Sequence, residues 1–440
     1  MRRTALVVFS VLALVACSAA PLQTATPSTP AARSTAAETA LPTPTAVSSP
    51  TPGPSTPKPA ATATSITSAP PTPVATPSVT PTWTPTPTAP GSLASGLNDH
   101  PNDVLVLKQD EIRSVTADVS GEEHQLAQDG PHVAFIDDSG VELADLRDES
   151  RTLIAKQMSS DIPWRIDMSG NNVVWLSGYF EGSTDPHCYG PLHWRINVFD
   201  IATGATQVIA AGVSKRMSGC SVWPPPVAID GDLVAYAVED PSASEPEAST
   251  VIVRSITTDE VVRTIESSDV VEDVDIDVGD VAFVAGSYTP DAQNYWYVLA
   301  DRQLMLSTVS NPTPVLVARD LDDVSFSNGR LAWLQTPISP ADHVMTTTVA
   351  DLDLLEVGER AAPFWRDPVS SGRFVSFVAN DLLWVWDDKT GAAHPMQAPA
   401  YPKLVSTNGG WLVWQGVALK DSDPAVLQGL PIDDVPGMAQ

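Results

Sequence analysis

One phrase occurs seven times along this chain, and it constrains the fold more than any other feature. A Gly, usually behind Asp, Ser or Asn, is followed four or five residues later by an aromatic that closes a short apolar run. Gln128-Asp129-Gly130 precedes Val133-Ala134-Phe135, and Met168-Ser169-Gly170 precedes Val173-Val174-Trp175. Ile229-Asp230-Gly231 precedes Val234-Ala235-Tyr236, and Asp277-Val278-Gly279 precedes Val281-Ala282-Phe283. Ser327-Asn328-Gly329 leads to Leu331-Ala332-Trp333, Ser370-Ser371-Gly372 to Phe374-Val375-Ser376-Phe377, and Thr407-Asn408-Gly409 to Leu412-Val413-Trp414. The aromatics stand 40, 61, 47, 50, 44 and 37 residues apart. That spacing is the period of a four-stranded blade.

The physics of the phrase is that of a hairpin. A short apolar strand ends at a turn where Gly supplies positive φ. The next strand carries a small residue, which lets neighbouring blades approach, and an aromatic, which fills the gap between them. Further strands follow, as in Ile196 to Gly204 and Leu383 to Gly391. No stretch has the length and caps of a long amphipathic helix. The expected class is all-β, a propeller of four-stranded blades that leaves only short edges. Segments 104–107, 111–117 and 124–126 read as outer strands lacking an inner one, and the C-terminal unit reads as inner strands with a weak outer one. One composite blade from both ends gives seven; a separate N-terminal blade gives eight. The pattern resembles the TolB-like propeller repeat, a relative of the WD-type repeats, over nearly all of 103–432. The resemblance implies the fold. The small α/β domain that precedes the propeller in that family is absent, so the family's partners do not carry over.

The N-terminus carries an address. Met1-Arg2-Arg3 precedes 13 almost wholly apolar residues, Thr4 to Ala16. That is too short to span a hydrocarbon core and has the length of a signal-peptide core. It ends in Leu14-Val15-Ala16-Cys17, which resembles the lipobox of bacterial lipoproteins residue by residue. The resemblance implies removal of residues 1–16 and acylation of Cys17, hence an extracytoplasmic protein held to the cell membrane or outer membrane. Residues 17–98 are nearly all Pro, Thr, Ser and Ala, a composition that reads as a disordered linker. Residues 99–440 are the propeller. The whole chain has a formal charge of -29, and the four cations and one acid before residue 99 leave the domain at -32. Such a surface disfavours nucleic acid and anionic lipid as partners, leaving the lipid anchor as the membrane contact.

With Cys17 acylated, Cys188 and Cys220 remain, and an even pair in an oxidising compartment reads as a disulfide. The alternative is a metal site with His187 and His193. The strand Glu272 to Asp280 alternates Asp273, Asp275 and Asp277 with Val274, Ile276 and Val278. Its acids share one face, read as an acidic channel wall, with calcium as the alternative cofactor. Trp384 and Trp386 also share a face; buried they are core, exposed they stack on a sugar. The long insertion between Ser177 and Ile196 is the expected functional loop. There is no Gly-x-Ser-x-Gly and no sialidase-type Asp box, so no catalytic residue is assigned. The expected function is a non-catalytic, monomeric platform for an envelope protein or glycan. The alternatives are an enzyme acting on polysaccharide and a calcium-dependent solute sensor.

Overall fold

The computed structural model describes residues 104–117, 125–158, 161–182, 190–214, 224–239, 248–290, 297–335, 342–360, 368–379, 381–399, 401–417, 425–435 and 438. The expected signal segment and linker, with Cys17, and His187, Cys188 and Cys220 lie outside them. The described residues form a seven-bladed β-propeller. Blade I spans 126–156, blade II 162–214, blade III 227–267, blade IV 270–319, blade V 321–360, blade VI 369–397 and blade VII 401–431. Six blades take all four principal strands from consecutive sequence, paired antiparallel in chain order. The first strand of each is innermost. These are Leu126–Asp129, Ile162–Ser169, Val227–Asp230, Val270–Asp277, Leu321–Ser327, Val369–Ser370 and Tyr401–Asn408, and each touches the next around a closed ring.

Both chain ends close that ring. Blade VII takes three strands from the C-terminus and its outer strand, Arg113–Thr116, from the N-terminal side, with Thr116 opposite Val426. Leu105–Val106 does not complete a blade. It adds a fifth strand to blade VI, parallel to the outer strand there, with Leu105 beside Met396. The segment 124–126 departs from expectation. Leu126 begins the inner strand of blade I rather than an outer one, because it runs straight into the Gln128-Asp129-Gly130 turn.

There is no single central core. Seven apolar clusters occur, one in each seam between adjacent blades. The repeat explains this. The aromatics Phe135, Trp175, Tyr236, Phe283, Trp333, Phe377 and Trp414 are all at most 4% exposed. Each joins the cluster shared with the preceding blade; Trp333, for example, packs with Leu304 and Leu306 of blade IV. The small residue before the aromatic faces the opposite way, toward the next blade, as Ala282 does toward Leu331. Burying a large ring in each seam stabilises the pairing of blades by several kcal/mol on the usual area scale, about 25 cal/mol per Å². All seven repeat glycines have positive φ. At Gly409 there is a second constraint, because a Cβ would run into the backbone of Gly130 where blade VII meets blade I.

The two faces differ. Turns between first and second strands, and between third and fourth, open on one face, and none exceeds seven residues. Segment 107–112 passes from one face to the other; the strand ends of all other connections open on the opposite face, and six of those connections are eight to twelve residues long. We call these the turn face and the loop face.

Candidate functional site

All seven inner strands line a central channel enclosing about 250 Å³. Its wall carries Asp167, Asp230, Asp273, Asp275 and Asp277, with Ser169, Ser325, Ser327, Ser370 and Ser406. The acids are placed by a rule that repeats around the ring. The residue paired with the small residue of the second strand faces the next blade. In blade II it is Asp167, which accepts a hydrogen bond from Ile229 N of blade III at 2.7 Å. In blade IV it is Asp275, which accepts from Phe326 N of blade V at 2.6 Å. In blade V it is Ser325, whose Oγ accepts from Ser370 N of blade VI at 3.0 Å. A second row lies beside the turns. Asp129 accepts from Gly170 N at 2.6 Å, Ser169 from Gly231 N at 3.0 Å, Asp230 from Val278 N at 2.6 Å and Asp277 from Gly329 N at 2.5 Å. Every bond runs from one blade's side chain to the following blade's backbone. The channel carboxylates are therefore interblade staples that satisfy backbone N–H groups of the following blade.

This locates the three acids read as a channel wall, with calcium as the alternative. Asp273, Asp275 and Asp277 each accept a backbone N–H from blade V, Asp273 from Val324 N at 3.1 Å. Asp273 also takes Arg165 Nη1 at 3.2 Å, a guanidinium reaching across from blade II. A cation on this strand would compete with all three staples. Among the described residues no three His, Cys, Asp or Glu side chains converge as a metal site requires.

Stapling has an electrostatic consequence. Burial in the channel wall pushes Asp167 up to about 6, opposed by the N–H bonds from Ile229 and Met168 and reinforced by Asp273 and Asp230. Burial also drives Asp275 well above the usual carboxylate range, and the charge of Asp167 adds to it. Asp277 rises for the same first reason. Ala228 occupies the equivalent position in blade III, between Asp167 and Asp275.

The tryptophans of blade VI are core. Trp384 is 3% and Trp386 2% exposed; Trp384 stacks on Phe377, and Arg330 caps Trp386. The base of the expected functional loop is described. It is a long hairpin of blade II, Asn172–Phe180 and Leu192–Asp200, rising on the loop face. Cys188 and Cys220 lie outside the described residues, as does His187; the strand ends flanking both cysteine segments open on the loop face.

Comparison with family models and with curated proteins finds no match. Solved propellers are similar in shape. An oligogalacturonate lyase in complex with manganese has a TM-score of 0.46 at 10% identity, over 74% of this chain and 91% of that one. The β-propeller domain of the Trilobed protease from Pyrococcus furiosus has a TM-score of 0.44 at 10% identity, over 74% and 97%. TolB from Acinetobacter baumannii has a TM-score of 0.36 at 13% identity, over 65% of each chain. None of these likenesses bears on activity. The propeller assignment stands on this chain's own strand order.

Proposed function

We propose that this protein is a non-catalytic recognition module, exported, acylated on Cys17 and carried on a Pro/Thr/Ser-rich linker, whose loop face binds an envelope protein or glycan. One observation carries the reading: the strand ends joined by the six long connections all lie on one face of a closed ring. Long loops on a stiff scaffold are where recognition is placed. The channel acids support it from the other side, because each is committed to holding blades together.

The test replaces 183–189, 240–247 and 418–424, one at a time, by Asn-Gly in the full chain. Each variant is screened against neutral and charged oligosaccharides and by chemical cross-linking to envelope proteins. We expect the ligand held by the full chain to be lost in at least one variant that melts normally. Retention in all three overturns the reading. The raised pKa values of Asp167 and Asp275 favour a second reading, an extracytoplasmic enzyme acting on polysaccharide. Release of reducing ends in the same screen, abolished by Asp167→Asn, establishes it instead.

A further inference from the structure

Among the residues whose burial is described, one aromatic side chain is an exposed large apolar group. It is Tyr179, 42% exposed, near the end of the blade II hairpin on the loop face. Strand pairing puts it opposite His193, with Ser177 opposite Arg195 and Trp175 opposite Asn197. Alternation along both strands places these six residues on one surface of the sheet. The Tyr179 and His193 rings are stacked 4.8 Å apart with 5° between their planes. One face of the phenol is thereby fixed against the imidazole, and the ring is held as a platform.

Polar groups surround that platform. Glu181 Oε2 lies 3.3 Å from His193 Nε2, and its side chain is 62% exposed. Arg195 pairs with the Asp161 carboxylate one register step deeper. Below them Asn197 Nδ2 donates to Ser177 Oγ at 3.0 Å in the buried floor. The array is a stacked phenol–imidazole pair, with the Glu181 carboxylate on the imidazole and the Arg195–Asp161 ion pair one register step deeper.

We infer that the Tyr179–His193 platform, with Glu181, Arg195 and Asp161, is a subsite for a neutral pyranose. This rests on the loop-face reading above and names its ligand class. A sugar ring presents C–H bonds on one face and hydroxyls around its edge. The first suits the phenol, and the second suits carboxylates and a guanidinium, which accept and donate. A protein partner would need a broad apolar centre in an interface of about 800 Å² per side, and here the exposed apolar surface beside Tyr179 is the single side chain of Val213, paired with His193 on the outer strand. The domain charge of -32 and the adjacent Glu181 and Asp161 disfavour uronic acids and other anionic sugars.

The experiment is calorimetric titration of the full chain in detergent with cellotetraose, chitotetraose and mannotetraose, and with tetralysine as a cationic control. At least one neutral tetrasaccharide should bind. Tyr179→Ala should weaken it about tenfold and Tyr179→Phe by less than about twofold, since the stacking face is kept. Both variants should melt as the parent does. Unchanged binding by Tyr179→Ala overturns the subsite, as does binding of tetralysine alone or of no neutral sugar. If the loop replacements abolish sugar binding while Tyr179→Ala does not, the subsite fails and the loop face stands. If neither affects sugar binding, both fail.

Discussion

At the residue scale the channel aspartates trade electrostatic cost for geometry. Asp167 holds Met168 N at 2.7 Å and Ile229 N at 2.7 Å, while Asp230 of blade III and Asp273 and Asp275 of blade IV act on it electrostatically. Its pKa is about 6 in the fold and 3.8 as a free carboxyl. The folded state therefore keeps a proton that the unfolded chain releases. This contribution is favourable below pH 3.8, is lost as pH rises toward 6, and is absent above it. Asp167→Asn keeps an acceptor for Ile229 N and removes the titration. Relative to the parent, the variant should gain stability between pH 4 and pH 7.5, by about 2 kcal/mol, at 1.36 kcal/mol per tenfold shift in the proton equilibrium. Urea melts at the two pH values read it directly. Parallel profiles would mean that Asp167 titrates as an ordinary surface acid. The sequence shows where these acids sit but not what they touch. Asp before Gly reads as a turn cap, and at Asp129, Asp230 and Asp277 the side chain instead leaves the turn for the next blade. A signal does exist: the stapling position lies seven residues before the small residue in every repeat, from Ala127 and Ala134 to Ser406 and Val413. What it cannot reveal is that the N–H it meets belongs to a strand some 50 residues away, as Asp275 and Phe326 do.

At the element scale the strength of the ring depends on a short N-terminal strap. Leu107, Ile112, Val115 and Ala117 are each at most 7% exposed, the first two packed in the seam of blades VI and VII and the last two in that of blades VII and I. Arg151 Nη1 of blade I donates to Thr116 O at 2.8 Å, and Ala117 N donates to Ala425 O at 3.1 Å. Burying three large and one small apolar side chain is worth about 5 kcal/mol, a large part of the 5–15 kcal/mol by which domains are stable. A chain beginning at residue 99 should melt like the full protein, and one beginning at residue 118 should lose its cooperative transition by circular dichroism. Equal melts for the two would place closure in the C-terminal strands alone. The composite blade was legible from the leftover strands at both ends. The fifth strand on blade VI was not, since Leu105 and Val106 carry the same alternation whether they complete a blade or flank one.

At the scale of the whole molecule the repeat determines one thing and leaves another open. Seven hairpin phrases match seven seams, each filled by the repeat aromatic, and the choice of seven blades over eight is decided by the pairing of Arg113–Thr116 with the C-terminal strand Val426–Pro431. Ligand choice does not follow, because the residues that repeat are those that build the ring, and the face that differs between blades carries the unrepeated loops. The proposed anchor bears on how that face is used. A propeller of charge -32 is repelled by anionic headgroups, so the proposed attachment rests on hydrocarbon at the N-terminus rather than on the domain surface. Each buried acyl CH₂ contributes roughly 0.8 kcal/mol, so several chains on one Cys would hold firmly. Cys17→Ser should move the protein from the detergent phase to the aqueous phase on Triton X-114 partition while leaving its melt unchanged. Mass spectrometry of the parent should find Cys17 as the acylated N-terminal residue. A Cys17→Ser protein still in the detergent phase would assign membrane attachment to the apolar segment Leu6 to Val15, retained as an uncleaved anchor. The linker would then begin inside the bilayer rather than at its surface, and the loop face would work at a shorter reach.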